Sequence, residues 1–172
     1  MKDEFLENDK RIVELEKRLK LIAQNNETHT QLMEISGIVL MTATALISSI
    51  GNAATFENGR QPSAWLGLVP RQHSTGGKQK FLGISKRGDV YLRNLLIQGA
   101  RAVFTQRMAI PKKKETLKKN NSVFSDWMIN LSSRRGFNTS VVAVANKLAR
   151  VVYAVLGKEQ NYTENKVCQG SI

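Results

Sequence analysis

The sequence predicts a mainly α fold: an N-terminal coiled-coil-type helix, then a compact helical domain with a helix-hairpin-helix-like element and a basic Gly-rich loop. Three observations predict it. Apolar residues recur at heptad spacing between residues 3 and 23, and apolar faces of helical period fill residues 90–108 and 140–156. Between these, the stretch from Trp65 to Arg93 is punctuated by Pro70, Gly76, Gly77, Gly83 and Gly88. The only strand that stretch permits is a short hairpin flanking Ser74. The chain accordingly divides into a linker helix over 1–26, a compact domain over 27–157 and a polar tail over 158–172.

In the first element Phe5, Ile12 and Leu19 fall at heptad a, and Asn8, Leu15 and Ile22 at d, with Glu and Lys around the seam. It reads either as a helix packed on its own domain or as half of a hairpin or dimer seam. Asn25 to Thr28 ends it, which leaves His29 in a linker as an ordinary surface histidine. Leu32 to Val39 and then Thr42 to Ala45 read as a helical hairpin around Gly37. The DNA-binding form of that motif has a glycine on each side of a hydrophobic residue, so that turn amides meet a phosphate. Val39 takes the second glycine's place, and a β-branched residue does not readily supply positive φ. A structural hairpin is expected.

Phe56 to Arg60 is a loop, and Pro62 opens a short helix through Trp65 and Leu66. From Val90 to Met108, Leu92, Leu95, Leu96, Gly99 and Val103 share one face, while Arg93, Arg101 and Arg107 are available on others. Pro111 breaks that helix, and Lys112 to Asn121 is a basic linker. Helix resumes from Ser122 to Leu131 around Phe124, Trp127 and Met128, and both Trp65 and Trp127 read as core residues. After a turn at Arg134 to Asn138, the last helix presents Val141, Val144, Ala145, Leu148, Val152 and Val155, and Gly157 ends it.

The length fits about one domain, and the net charge of +12 is concentrated. Between Arg71 and Lys119, thirteen Lys or Arg stand against Asp89 and Glu115. A basic excess confined to one region suits a polyanion, nucleic acid before membrane, because the basic region carries no sustained apolar helix face with Trp or Phe at its rim. The lone Cys168 excludes a disulfide framework, the charged N-terminus is no signal peptide, and the apolar run Gly37 to Ile50 is too short for a membrane span. A cytoplasmic protein is expected.

No carboxylate interrupts the chain between Glu57 and Asp89. Within that window Ser74 and Thr75 adjoin the paired Gly76 and Gly77, and Arg71, Lys78, Lys80, Lys86 and Arg87 surround them. Glycines let backbone approach a ligand, while hydroxyls and cations supply what phosphate oxygens accept. The loop therefore reads as a phosphate site, with Ser74 as either a phosphate contact or a nucleophile toward a phosphodiester. A base for the second role is missing: in extended backbone His73 and Ser74 point to opposite sides. Lys86 to Asp89 reads as a turn and helix cap, with its cations and Gly88 at the helix N-terminus. No carboxylate cluster suggests a metal: Asp89 is a cap and Asp126 sits in an amphipathic helix.

Asn58 to Gln61, Trp65 to Lys78 and Gly83 to Arg93, with Gly99 to Val103 and Ala145 to Arg150 in order and spacing, resemble the C-terminal domain of the "IS-one-ten" insertion-sequence transposases, subgroup "IS-eleven-eleven". The resemblance covers about residues 30–157. It implies DNA transposition by recombination, with a catalytic serine that maps onto Ser74, Thr75 being second choice and Ser85 a distant third. It implies DNA contacts from Arg71, Lys78, Lys80, Lys86, Arg87 and Arg93, and a homo-oligomer or full-length transposase held through residues 3–23. A bridge RNA and a bacterial, nucleoid-associated location come with it. In the family an N-terminal RuvC-like domain carries a DEDD acidic set and a divalent metal, expected to be Mg. These residues begin at the linker helix and contain neither, so the chain alone is expected to bind DNA without transposing it. The competing expectations are a non-catalytic nucleic-acid-binding remnant and, more weakly, an RNA-associated basic protein.

Overall fold

In a computed structural model, residues 2–51, 53–109 and 123–158 are described. Among them the fold is helical around one small sheet. Helix α1 (Lys2–Gln24) leads to a pair, α2 (Glu27–Met33) and α3 (Leu40–Ile50), then a 3-10 turn at Ala53–Thr55 and the short α4 (Arg60–Trp65). Strands β1 (Pro70–Thr75) and β2 (Lys78–Ile84) form an antiparallel hairpin. Helices α5 (Val90–Ala109), α6 (Val123–Arg134) and α7 (Phe137–Lys158) complete it. The expected basic linker around Lys112 to Asn121 and the tail beyond Lys158, with Cys168, lie outside the described residues.

Helices α5 and α7 are the central pair, and α4 and α6 pack on α7. Val141, Val144, Ala145, Leu148, Val152 and Val155, the face expected of the last helix, are all buried against Leu92, Leu96, Val103 and Phe104 of α5. α7 begins three residues earlier than expected, at Phe137, whose ring meets Phe104 edge-on at 5.3 Å between centroids. By length and composition Phe137–Gly157 is apolar enough to cross a membrane, but it is largely buried, the mark of a core helix. Trp65 is 37% exposed and Trp127 half-buried, so both tryptophans sit at the rim of the core that they were expected to fill. Trp65 rests against Phe56 and Trp127 stacks on Phe124 at 5.7 Å.

Two corrections fall in the N-terminal third. Asn26 accepts a bond from the Thr28 amide (3.0 Å) and caps α2, which starts at once rather than after a linker. His29 therefore lies on α2 and is 3% exposed, buried and not on the surface. At the α2–α3 turn Gly37 has φ +94, and its carbonyl oxygen would stand 2.0 Å from a Cβ on Gly99. The Gly37 turn thus docks by backbone contact on α5, and Val39 enters α3 in extended conformation. The glycine serves helix packing here.

α1 is different in kind. Its C-terminal end packs on α2 and α3, with Ala23 buried, while Phe5, Leu6, Ile12, Val13, Leu15, Leu21 and Ile22 are exposed. Arg11–Glu7 and Arg18–Glu14 pairs at 2.6 Å reinforce it along its surface. Of its apolar seam, Phe5, Ile12, Leu15 and Ile22 are exposed and Leu19 is half-buried.

Candidate nucleic-acid interface

The residues expected to form a phosphate loop form the hairpin instead. Gly76 and Gly77 both take positive φ (58 and 75), which a two-residue hairpin turn favours because its twist matches the strands. Ser74 is then a strand residue just before the turn, paired with Gln79, and not part of a flexible loop. Every residue of the hairpin is exposed except Ile84, which is half-buried. A lone two-stranded hairpin is marginal in water, so its root must hold it.

The root is a clasp. Gly67 (φ +69) and Gly88 (φ +84) lie where two backbone segments cross. A Cβ on Gly88 would stand 1.7 Å from the Trp65 carbonyl oxygen, and one on Gly67 would stand 2.1 Å from that of Arg87. No other residue fits either place. Ser85 donates its amide to Val69 (2.8 Å) and Lys86 to Gly67 (3.1 Å), Lys86 itself taking φ +57. Arg93 closes the clasp: its Nη1 donates to the carbonyls of Leu66 (3.0 Å) and Arg87 (3.2 Å). It is 6% exposed, which corrects its assignment as a DNA contact. A buried guanidinium committed to two carbonyls holds the hairpin to α5 and does not meet a phosphate.

Asp89 accepts from the Leu92 amide at 2.8 Å and caps α5, directly below the clasp. On the other side, Asn146 of α7 donates to Leu68 (3.2 Å) and Ser63 donates to the Asn146 carbonyl (3.2 Å). Between the hairpin root and α7 runs a groove of about 760 Å³, floored by Leu68, Pro70, Ile84 and Val142. Lys86, Lys147 and Arg150 also line it, and Lys147 Nζ lies 4.6 Å from the centre of the Trp127 ring.

Strand pairing separates the expected site residues. Ser74 faces Gln79 and Gln72 faces Phe81, whereas His73 faces Lys80 and Thr75 faces Lys78. Cross-strand partners share a face and successive residues alternate. One face therefore carries Gln72, Ser74, Gln79 and Phe81, and the other carries His73, Thr75, Lys78 and Lys80. Gln72 Nε2 donates to Ser74 Oγ at 2.8 Å, as residues on one face can. The register shifts between Pro70 and Gln72, at Arg71. Ser74 and Thr75, neighbours in sequence, look in opposite directions. Lys86, Arg87 and Gly88 lie at the root, exposed and away from the turn.

Gln72 and Gln79 were not singled out from sequence. The signal was there as alternation, Gln72 with Ser74 and Gln79 with Phe81, but it becomes readable only once the turn fixes the register. Among the described residues no three His, Cys, Asp or Glu side chains gather as a metal set.

The sequence profile of the Transposase IS116/IS110/IS902 family matches residues 29–116, about half of the chain, from within α2 through α5 and including the whole hairpin. A probable family 20 transposase of Pseudomonas aeruginosa is 43% identical over 94% of this chain and 45% of its own length. The transposase for insertion sequence element IS1111A of Coxiella burnetii is 43% identical over 92% of this chain and 41% of its own length. That for IS1328 of Yersinia enterocolitica is 40% identical over 84% and 40%. The chain spans less than half the length of these relatives. It belongs to the IS116/IS110/IS902 family of insertion-sequence transposases.

Proposed function

We propose that this chain works in DNA transposition as the DNA-binding, serine-presenting part of an insertion-sequence transposase, with Ser74 as the nucleophile. The observation that carries the reading is the hairpin: an exposed arm, clasped at its root by Arg93, Gly67 and Gly88, with a hydroxyl just before its tip. Family membership supplies DNA as the partner. Attack forms a bond from Ser74 Oγ to phosphorus and breaks one phosphorus–sugar oxygen bond. The serine proton passes to a carboxylate of an acidic RuvC-like domain, and the departing oxygen takes a proton from water. Among the described residues Gln72 is the side chain bonded to Ser74 Oγ, and an amide is no base. This supports dependence on the acidic domain, which would also hold the metal, Mg by expectation.

The exposed seam of α1 supports self-association, or association with a longer transposase, through residues 3–23. A guide RNA and a place at the bacterial nucleoid follow from the same reading. A second reading, a non-catalytic nucleic-acid-binding remnant, is favoured by the same missing base. DNA binding by the chain should be salt-dependent. Lys86→Ala with Arg87→Ala should weaken it several-fold and lower the slope of log K against log salt by about 0.9 for each lost contact. Ser74→Ala should leave binding unchanged. Salt-independent binding, or none, would end both readings.

A further inference from the structure

We infer that the hairpin is a two-sided wedge that lies between two nucleic-acid segments at once, resting on the reading of Ser74 and DNA given above. The argument starts from the separation of chemistries. If a phosphodiester meets Ser74, its neighbours there are Gln72, Gln79 and Phe81, all uncharged at neutral pH. Gln79 stands directly across from Ser74, within the roughly 5 Å that separates facing Cβ atoms, and its amide can donate to a phosphate oxygen. Gln72 already donates to Oγ and orients it. Phe81, 64% exposed, offers a ring to the base or sugar beside that phosphate. A ring so exposed on a two-stranded arm packs no core of its own.

Lys78 and Lys80 lie with His73 and Thr75 on the reverse. Groups on opposite faces of a sheet point away from one another, each toward its own layer about 10 Å from the sheet. They are placed for a different stretch of backbone from the one at Ser74. The whole arm is exposed on both faces, and in a chain of net charge +12 the cationic face suits a polyanion. One ribbon thus offers neutral donors to one strand and cations to another. A reaction that joins DNA segments needs such a meeting of strands.

The test places charge face by face and reads salt slopes with the chain as it is. On a branched DNA in which several duplexes meet, Gln79→Lys should raise the slope of log K against log salt by about 0.9, since a new cation meets a phosphate. Lys78→Ala with Lys80→Ala should lower it by nearly 2 in the same complex. On linear duplex, which fills one face, only one of the two changes should register. Gln72→Lys repeats the first measurement at a second position, and circular dichroism confirms that these exposed substitutions leave the fold intact. A one-sided arm would show one silent face on branched DNA. A ribbon seated in a single groove would show both changes on linear duplex. Either result overturns the wedge while leaving DNA binding and Ser74 chemistry standing. Wild-type binding without salt dependence would instead remove the reading beneath it.

Discussion

At Arg93 a guanidinium nitrogen lies between the carbonyl oxygens of Leu66 and Arg87, buried beneath the arm. Arg93→Met keeps much of the volume and removes both bonds, leaving two carbonyls short of a donor. Charged hydrogen bonds of this kind contribute about 1.5–3 kcal/mol each, so a loss of about 3 kcal/mol is expected in denaturant unfolding. Faster hydrogen exchange at the Ser85 and Lys86 amides should accompany it, because those bonds form the same root. Unchanged exchange would mean that the clasp does not hold the arm. His29 makes the opposite case. Both ring nitrogens are buried without a hydrogen-bond partner among the described residues, so His29→Leu should raise stability by about 1 kcal/mol. A fall in the melting temperature would show that the ring has a partner after all.

Among the elements, α1 and the hairpin leave most of their residues exposed. Ile12 (54% exposed) and Leu15 (58%) contribute little to the domain, so replacing both by Asp should change its stability by less than about 1 kcal/mol. Self-association, read by sedimentation, should fall sharply. If it persists, α1 is not the seam. The heptads of this helix, like the faces of α5 and α7, were legible because 3.5- and 3.6-residue periods survive without knowledge of neighbours. The hairpin was legible only in part. Gly76 and Gly77 marked a turn, but the separation of Ser74 from Lys78 and Lys80 depends on register, which a one-residue slip would reverse. Arg93 and His29 escaped for a related reason. A polar residue's burial is set by what packs over it, here the Gly67–Gly88 crossing and the early start of α2, and neither has a local signature.

Taken whole, the molecule carries Arg71, Lys78, Lys80, Lys86 and Arg87 on an exposed arm and its root, beside a core whose centre is the α5–α7 pair. The family was legible from residue type and order between Trp65 and Arg93, a stretch that the family match covers. What the arm would face was not, because the chain spans less than half the length of these relatives. The most direct measurement supplies the acidic RuvC-like domain and a labelled DNA, then looks for a covalent protein–DNA adduct by denaturing gel and mass spectrometry. The account predicts an adduct on Ser74 only when that domain is present, abolished by Ser74→Ala and kept in Thr75→Ala. An adduct that survives Ser74→Ala, or that maps to Thr75 on the opposite face, would contradict it.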